Sequence, residues 1–302
     1  MLNLSRLRML RELRRLGTLT EVARSLSYTP SAISQQLAVL EREVGVPLLE
    51  RSGRRVLLTA DAIALVEHTE VVLARLERAE AELAAAQTEV RGTLRVASFQ
   101  SVLLSIGPIA LTLLAERHPE LQVEITQREV TSAYEGLLAH DFDLILGEEY
   151  PGVPEPHRAG VHREDFTTDA LRLAMPTTGP FSALDSDITA LSGASWAVDP
   201  ESSTTGRWER ATCRAAGFEA IVRFETTDPL LHAHLVRTGH AVSFMSEIIA
   251  AQHLAGMRLV ALPGDPHRVL FTAVRDGRAK HPAIRAFREA LTEAASQATP
   301  TP

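Results

Sequence analysis

The fold of the first sixty residues is decided by two short stretches, TLTEVA at residues 18–23 and TPSAISQQL at residues 29–37. In the first, Thr18 stands three residues before Glu21, the capping-box spacing that opens a helix. In the second, a threonine directly precedes Pro30, and this order places a cap before a proline at the first helical position. Two short helices separated by a tight turn predict a helix-turn-helix.

The flanking residues extend this motif to a small head. Leucines recur at three-residue spacing from Leu4 to Leu13, which predicts a preceding helix with one apolar face. Gly45 is well placed to end the third helix. Beyond it, strand-like runs at 48–51 and 56–58 flank a Ser-Gly-Arg turn, which predicts a β-hairpin wing.

The charge of the chain is divided unevenly between this head and the remainder. Residues 1–58 hold ten arginines and five glutamates, a net charge of +5, whereas the whole chain carries −7 and the remainder therefore −12. A basic head on an acidic body is expected where only the head meets phosphate. We therefore predict that the head binds double-stranded DNA.

The third helix and the wing supply the candidate DNA contacts. With Ile33 and Leu37 facing the core, serine and glutamine side chains point outward, where they can bond to phosphate or base edges. Free N–H groups at the helix start can seat a phosphate, and wing arginines can reach the backbone or minor groove. The alternative for the serines and the glutamine is a solvated helix face. The predicted DNA-binding residues are Thr29, Pro30, Ser31, Ser34, Gln35, Arg51, Arg54 and Arg55.

A long helix is predicted from Thr59 to about Val90, because this stretch contains neither glycine nor proline. Apolar and small residues recur within it at alternating spacings of three and four, the pattern of a heptad seam. The seam residues are Ala62, Leu65, Thr69, Val72, Leu76, Ala79, Leu83, Ala86 and Val90. We favour pairing of this helix with a second copy of the chain, and packing on its own domain is the alternative.

Beyond Gly92, strand-like and helix-like segments alternate, which is typical of an α/β domain with a mainly parallel sheet. We predict strands at 94–97, 121–125, 143–146, 171–174, 196–198, 222–224, 241–244 and 269–274. We predict helices at 102–118, 132–139, 208–216, 230–238 and 282–295, and a disordered tail at 296–302.

Composition excludes several classes of protein. Cys213 is the single cysteine, so an intrachain disulfide and an intrachain redox pair are both excluded, which fits a reducing compartment. Early arginines interrupt the N-terminal apolar stretch, and we expect neither a secretion signal nor a membrane span. The sequence therefore predicts a cytoplasmic protein without membrane association.

The motifs of the head together resemble the LysR-type transcriptional regulators. The resemblance lies in the two stretches quoted above and in Leu40-Glu41, GVPLLER at 45–51 and Leu58-Thr59. It implies a winged helix-turn-helix domain (1–58), a linker and dimerisation helix (59–90) and an α/β effector-binding domain (91–302) resembling periplasmic solute-binding proteins. The first lobe of that domain is expected at about 93–163 and 269–295, and the second at about 164–268. One departure from the family pattern is His140, which replaces a glycine before the third strand of the α/β domain.

The resemblance also implies partners and a ligand site. Homodimers assembled into tetramers, an inverted-repeat operator and a small-molecule effector are expected, and RNA polymerase is a further candidate partner. Family position and the carboxyl ends of the strands select the effector-binding candidates. These are Ser98, Gln100, Ser101, Thr131, Glu148, Ser202, Ser203, Thr204 and Thr227. A polar turn at residues 202–205, and a solvated pair at Glu148 and Glu149, are the alternatives left open; if it lines the cleft, Glu148 favours a ligand with a cationic group.

Two other classes of function were weighed. An enzyme would need catalytic residues, yet the sequence lacks an HExxH motif, a nucleophile elbow and a Walker loop. A metal site at His232 and His234 is not expected, because they lie two residues apart on a predicted helix and therefore point to different faces. A DNA-binding regulator without an effector would not need so large an α/β domain. We predict no catalytic residue, metal ligand or cofactor.

Overall fold

The computed structural model describes residues 2–52, 55–86, 89–253 and 255–298, and the chain forms two compact units, 1–81 and 82–302. The helices are α1 (Leu4–Leu16), α2 (Leu19–Ser25), α3 (Pro30–Val44), α4 (Ala60–Ala85), α5 (Gln100–Leu104), α6 (Ile106–Arg117), α7 (Val130–Leu138), α8 (Thr204–Ala215), α9 (Pro229–Arg237), α10 (Glu247–His253) and α11 (Pro282–Ala298). The strands are β1 (Leu49–Ser52), β2 (Arg55–Leu58), β3 (Gly92–Ser98), β4 (Leu121–Gln127), β5 (Leu144–Glu149), β6 (Val161–Met175), β7 (Ser195–Val198), β8 (Ile221–Glu225), β9 (Ser243–Ser246), β10 (Arg258–Ala261) and β11 (His267–Arg275).

The first unit contains the predicted helix-turn-helix. The hydroxyl of Thr18 accepts a hydrogen bond from the N–H of Glu21, and that of Thr29 accepts one from Ala32, each over 3.2 Å, so both predicted caps form. Leucine and isoleucine side chains from α1 and α3 are fully buried between the helices. They are Leu10, Leu13, Ile33, Leu37 and Leu40.

A glutamate fixes the start of the wing. Strands β1 and β2 pair antiparallel from Leu49 opposite Leu58. Glu41 of α3 accepts hydrogen bonds from the N–H groups of Leu48 and Leu49 over 2.9 and 3.0 Å. A charged acceptor strengthens such bonds, so the hairpin is held directly against the third helix of the head.

The long helix is shorter than predicted, since α4 ends at Ala85 rather than near Val90. The hydroxyl of Thr59 caps it by accepting a hydrogen bond from Ala62 over 3.1 Å. Part of the predicted seam faces solvent: Val72, Leu76 and Leu83 are 46%, 41% and 72% exposed. Apolar side chains on an open helix face leave a surface that a second helix can cover.

The second unit is a two-lobed α/β domain, which confirms the predicted fold class. The first lobe comprises β3, β4, β5, α5, α6, α7 and α11 with one end of β6 and most of β11. The second lobe comprises β7–β10 and α8–α10 with the other end of β6. Each lobe has its own apolar cores, and Trp196 is fully buried in the second.

The prediction of a mainly parallel sheet is wrong, because the sheet is mixed. β3 pairs parallel with β4 and β5, and β7 with β8, whereas β11 runs antiparallel to both β5 and β6. β6 is 15 residues long, far beyond the predicted strand at 171–174, since it runs from the first lobe into the second. β11 returns beside it, and this return imposes the antiparallel pairing.

Other local predictions are corrected by the structure. The helix predicted at 102–118 is two helices that part at Ser105 (φ −128°, ψ −78°), and Pro108 lacks the N–H that would continue the ladder across this break. α11 continues to Ala298, so the predicted disorder from 296 is wrong for its first three residues. α10 and β10 were not predicted. His140 has φ +67°, in the left-handed region that glycine adopts most easily. This conformation explains the glycine that the family pattern has at this position.

Among the described residues, every helix is too short or too polar to cross a membrane.

Candidate functional site

The outer face of α3 presents the predicted DNA-binding side chains together. Ser31, Ser34 and Gln35 are exposed, while Ile33 and Leu37 on the opposite face are fully buried. Thr29 and Pro30 at the helix start are exposed as well. The hydroxyl of Ser31 lies 3.1 Å from that of Thr29, so the two form a polar pair at the N-terminus of α3. This end of the helix therefore offers hydroxyls and free N–H groups to an anion.

The wing arginines are only partly described. Arg51 of β1 lies opposite Val56 of β2, and Arg55 of β2 lies opposite Ser52 of β1. The side chains of Arg51 and Arg55, and the whole of Arg54, lie outside the described residues. Their predicted contacts with DNA stay predictions.

A cavity of about 70 Å³ lies in the second unit between its two lobes. Of the predicted effector-binding residues, Gln100, Ser101, Glu148 and Thr227 line it. Gln100 donates a hydrogen bond to Asp228 over 3.0 Å, and Asp228 in turn caps α9 of the second lobe. The predicted cleft therefore brings residues far apart in sequence into one site.

The remaining predicted residues do not line this cavity. Ser98 is fully buried at the end of β3, and Thr131 is exposed on α7. Ser202 is exposed, Ser203 caps α8 by accepting a hydrogen bond from Gly206 over 2.9 Å, and the hydroxyl of Thr204 accepts one from Arg207 over 3.2 Å. A polar turn was the open alternative for 202–205, and the hydroxyls of Ser203 and Thr204 do make local hydrogen bonds.

Thr205, the next residue, does face the cavity. Its hydroxyl donates to Glu148 and lies 3.2 Å from the hydroxyl of Tyr150. Glu148 is 7% exposed, so it is a buried wall residue rather than half of a solvated pair. Glu149 instead forms an ion pair with Arg163, which lowers the pKa of its carboxyl although burial acts in the opposite direction.

Arg268 of β11 is a wall residue that the sequence analysis missed. Its guanidinium is almost completely buried, lies 2.6 Å from a carboxylate oxygen of Asp169, pairs with Glu148 and donates to the hydroxyl of Ser101 over 2.9 Å. Burial disfavours its charge, but Asp169 and Glu148 outweigh burial and raise the pKa of Arg268 above its ordinary value. Ser101, a predicted effector contact, is thus already bonded to a cation that has two carboxylate partners of its own.

Three more titratable groups meet in the second-lobe wall: Asp199 after β7, Glu209 on α8 and His232 on α9. One ligand-type atom of each lies within 4.8 Å of those of the others. Burial, with help from Glu148 and Glu129, raises the pKa of Asp199 to about 8. Burial and Asp199 raise the pKa of Glu209 well above its ordinary value, and burial lowers the pKa of His232 to about 4.

The first lobe adds a further carboxyl, Glu129, to the opposite wall. Burial and the charge of Glu148 raise the pKa of Glu129. Among the described residues that line the cavity, Arg268 is the only arginine or lysine, whereas four carry a carboxyl: Glu129, Glu148, Asp199 and Glu209. The cleft is therefore acidic, and it disfavours anions.

Aromatic side chains form the apolar part of the second-lobe wall. The rings of Tyr150 and Trp208 have centroids 5.4 Å apart, and Trp208 meets Phe244 edge-on at 5.2 Å. Burial and the charge of Glu148 raise the pKa of Tyr150 well above its ordinary value, so its hydroxyl is protonated and donates to Glu148 over 3.1 Å. Such rings give a small ligand flat apolar contact beside polar groups.

Family models match most of the chain. Residues 4–63 match a model described as bacterial regulatory helix-turn-helix protein, lysR family, and residues 87–296 match the LysR substrate binding domain. A probable RuBisCO transcriptional regulator of Trieres chinensis is 28% identical over 180 residues, which are 59% of this chain and 57% of that relative. The chain therefore spans little more than half the length of this relative.

Two further similarities extend over nearly the whole chain. The RuBisCO operon transcriptional regulator of Allochromatium vinosum is 28% identical over 300 residues, 97% of both chains. The structure of full-length OxyR C199D from Pseudomonas aeruginosa has a TM-score of 0.69 at 18% identity and covers 96% of this chain and 95% of that one. At this identity the structural likeness concerns the fold.

Proposed function

Because the chain belongs to the LysR family of bacterial regulatory helix-turn-helix proteins, we propose that it is a transcription regulator that binds an inverted-repeat operator in double-stranded DNA. The observation that carries this proposal is the outer face of α3, where Ser31, Ser34 and Gln35 are exposed side by side. Gln35 is placed to pair with adenine in the major groove, and the two serines to meet phosphate or base edges. Arg51, Arg54 and Arg55 add contacts to the backbone or minor groove from the wing.

A dimer is needed to read two half-sites. The exposed Val72, Leu76 and Leu83 on α4 support pairing of this helix with that of a second copy. Two heads related by a two-fold axis then place two recognition helices in successive major grooves of a pseudo-palindromic site. We further propose that dimers assemble into tetramers and that the protein works in the cytoplasm, where it meets DNA and RNA polymerase.

The second unit is proposed to be the effector-binding domain, at 91–302, joined to the head (1–58) by a linker (59–90) whose helical part is α4 (Ala60–Ala85). The acidic cavity between the lobes supports this role, since it combines buried polar groups with an aromatic wall. An effector that binds more tightly to one state of lobe closure than to another shifts the population of protein assemblies toward that state. This shift changes how far the bound DNA is bent.

Thermal unfolding of the purified chain with a library of small metabolites tests the effector role. A ligand that binds only the folded state raises the melting temperature. Footprinting of the operator with and without that ligand then tests coupling, and a changed footprint or bend supports it. A protein that binds its operator but responds to no small molecule would be a regulator without an effector.

A further inference from the structure

Asp199, Glu209 and His232 form a cluster in the cavity wall that DNA binding and lobe closure do not account for. Asp199 follows β7, Glu209 lies on α8 and His232 lies on α9, so three separate elements of the second lobe deliver them to one point of the cavity wall. Glu209 and His232 are 1% and 2% exposed. Carboxylates that are buried this deeply are normally paired with a cation or coordinate a metal.

The neighbouring cations are engaged with other acceptors. Arg268 is held by Asp169 and Glu148. Arg210 donates to the backbone oxygen of Asp199 over 2.6 Å and pairs with Glu225 over 2.9 Å. Neither guanidinium therefore lies between the two carboxyls of the cluster, which have no cationic side chain as a partner of their own among the described residues.

The imidazole of His232 adds a nitrogen ligand to the two carboxyls. Its Nδ1 lies 4.0 Å from Oδ2 of Asp199 and is the ring nitrogen that an ion held between these residues would meet. His234, two residues along the same helix, is exposed and does not join the cluster.

We propose that Asp199, Glu209 and His232 bind a divalent transition-metal ion inside the effector cleft. One imidazole and two carboxylates suit Mn²⁺, Fe²⁺, Co²⁺ or Zn²⁺, whereas Ca²⁺ and Mg²⁺ prefer oxygen alone. Two ligand atoms about 2.1 Å from an ion lie roughly 3.4 Å apart at a tetrahedral angle, so the three atoms, which lie within 4.8 Å of one another, must approach by up to roughly 1.4 Å to complete the site.

Three protein ligands leave at least one coordination position open toward the cavity. A bound ion places positive charge between Asp199 and Glu209 of the second lobe and Glu129 and Glu148 of the first. It therefore weakens the repulsion between the two walls and offers a coordination position to water or to an anionic group of a small molecule. This regulatory consequence rests on the proposed effector role of the cleft, whereas binding of the ion does not.

The test uses the full-length chain after treatment with EDTA, titrated with MnCl₂ and followed by the electron paramagnetic resonance signal of free Mn²⁺. We expect saturable binding of one ion per chain. Asp199→Asn and Glu209→Gln keep the size of each side chain, and we expect each to weaken binding by more than about tenfold. The matched controls are His234→Ala on the same helix and Glu201→Gln on the exposed turn before α8, which we expect to bind as the unaltered chain does.

Thermal unfolding in EDTA establishes that each variant folds, and His232→Gln replaces any variant that does not. Binding that is absent, that never saturates, or that is equal in the cluster variants and the controls overturns the site. If putrescine raises the melting temperature of the chain and Mn²⁺ does not bind, the metal site is also overturned, and the cleft binds an organic amine instead. Operator affinity is measured on the same samples, so loss of metal binding with intact DNA binding refutes the metal site alone.

Discussion

Arg268 of β11 donates a hydrogen bond from Nη2 to Oγ of Ser101 at the start of α5, over 2.9 Å and across 167 positions of sequence. The same guanidinium pairs with Asp169 and Glu148, so one buried cation ties the start of α5 to β5 and β6. The hydroxyl of Ser101, just after β3, is therefore already bonded and is not free to bind a ligand. Arg268 thus determines the shape of that side of the cleft.

Replacement of Arg268 is expected to destabilise the effector-binding domain. Arg268→Met leaves Asp169 and Glu148 buried without their cation, which costs about 3–5 kcal/mol of unfolding free energy. The control is Arg214→Met, whose pair with Glu219 is 3.7 Å long and exposed, and which we expect to change little. Urea unfolding followed by tryptophan fluorescence measures both, since Trp196 and Trp208 lie in the second lobe. Equal unfolding midpoints for the two variants would contradict the role given to Arg268.

Gln35 is expected to read a base. Gln35→Ala should cost about 1–3 kcal/mol of operator binding and relax the preference at one base pair of each half-site. Gln122→Ala is the control, because Gln122 is an exposed glutamine on β4, outside the head. Binding of the variants to a panel of singly substituted operators measures the effect. A uniform loss over all sequences would make Gln35 a phosphate contact instead.

The open apolar face of α4 is expected to hold two chains together. Leu76→Glu with Leu83→Glu places charges seven residues apart on that face and should dissociate the dimer toward the 32.9 kDa chain. Arg78→Glu lies on the opposite side of the helix and should leave the mass unchanged. Sedimentation equilibrium distinguishes the two, and an unchanged mass for the double variant would place the dimer contact elsewhere.

Cys213 is expected to be inert in the folded protein. It is fully buried in the core of the second lobe, and burial, with Glu209 and Glu219, raises the pKa of its thiol to about 12. The thiolate is the reactive form, so a disulfide reagent at pH 8 should not modify the native chain and should modify one thiol per chain in urea. Rapid reaction of the native protein would show that this core opens readily.

The sequence predicted the head well because its signals are local. Thr18, Thr29 and Gly45 mark helix ends through their own capping chemistry, and Ile33 and Leu37 follow a single helical period. The outward placement of Ser31, Ser34 and Gln35 follows directly from that period. Family position likewise led to Gln100, Ser101, Glu148 and Thr227 in the cleft wall.

The rest of the cleft depends on tertiary contacts that have no local signal. Arg268 lies within an apolar strand, and its partners Asp169 and Glu148 come from two other strands. Ser203 was predicted to bind ligand, but its hydroxyl caps α8, while Thr205 two positions later faces the cavity. Asp199 and Glu209 were not predicted, because they lie on different elements from His232 and no sequence spacing links the three residues. The antiparallel return of β11 beside the long β6 explains the contacts of Arg268 and the mixed character of the sheet.

Selection of bound sequences from a random DNA library by the purified full-length protein tests the central claim most directly. We expect enrichment of an inverted repeat whose half-sites lie one helical turn, about 10–10.5 base pairs, or a multiple of it apart. The same selection with Gln35→Ala should return that repeat with one position of each half-site relaxed. Recovery of DNA without any enriched sequence would contradict the account of the head as a sequence-specific reader.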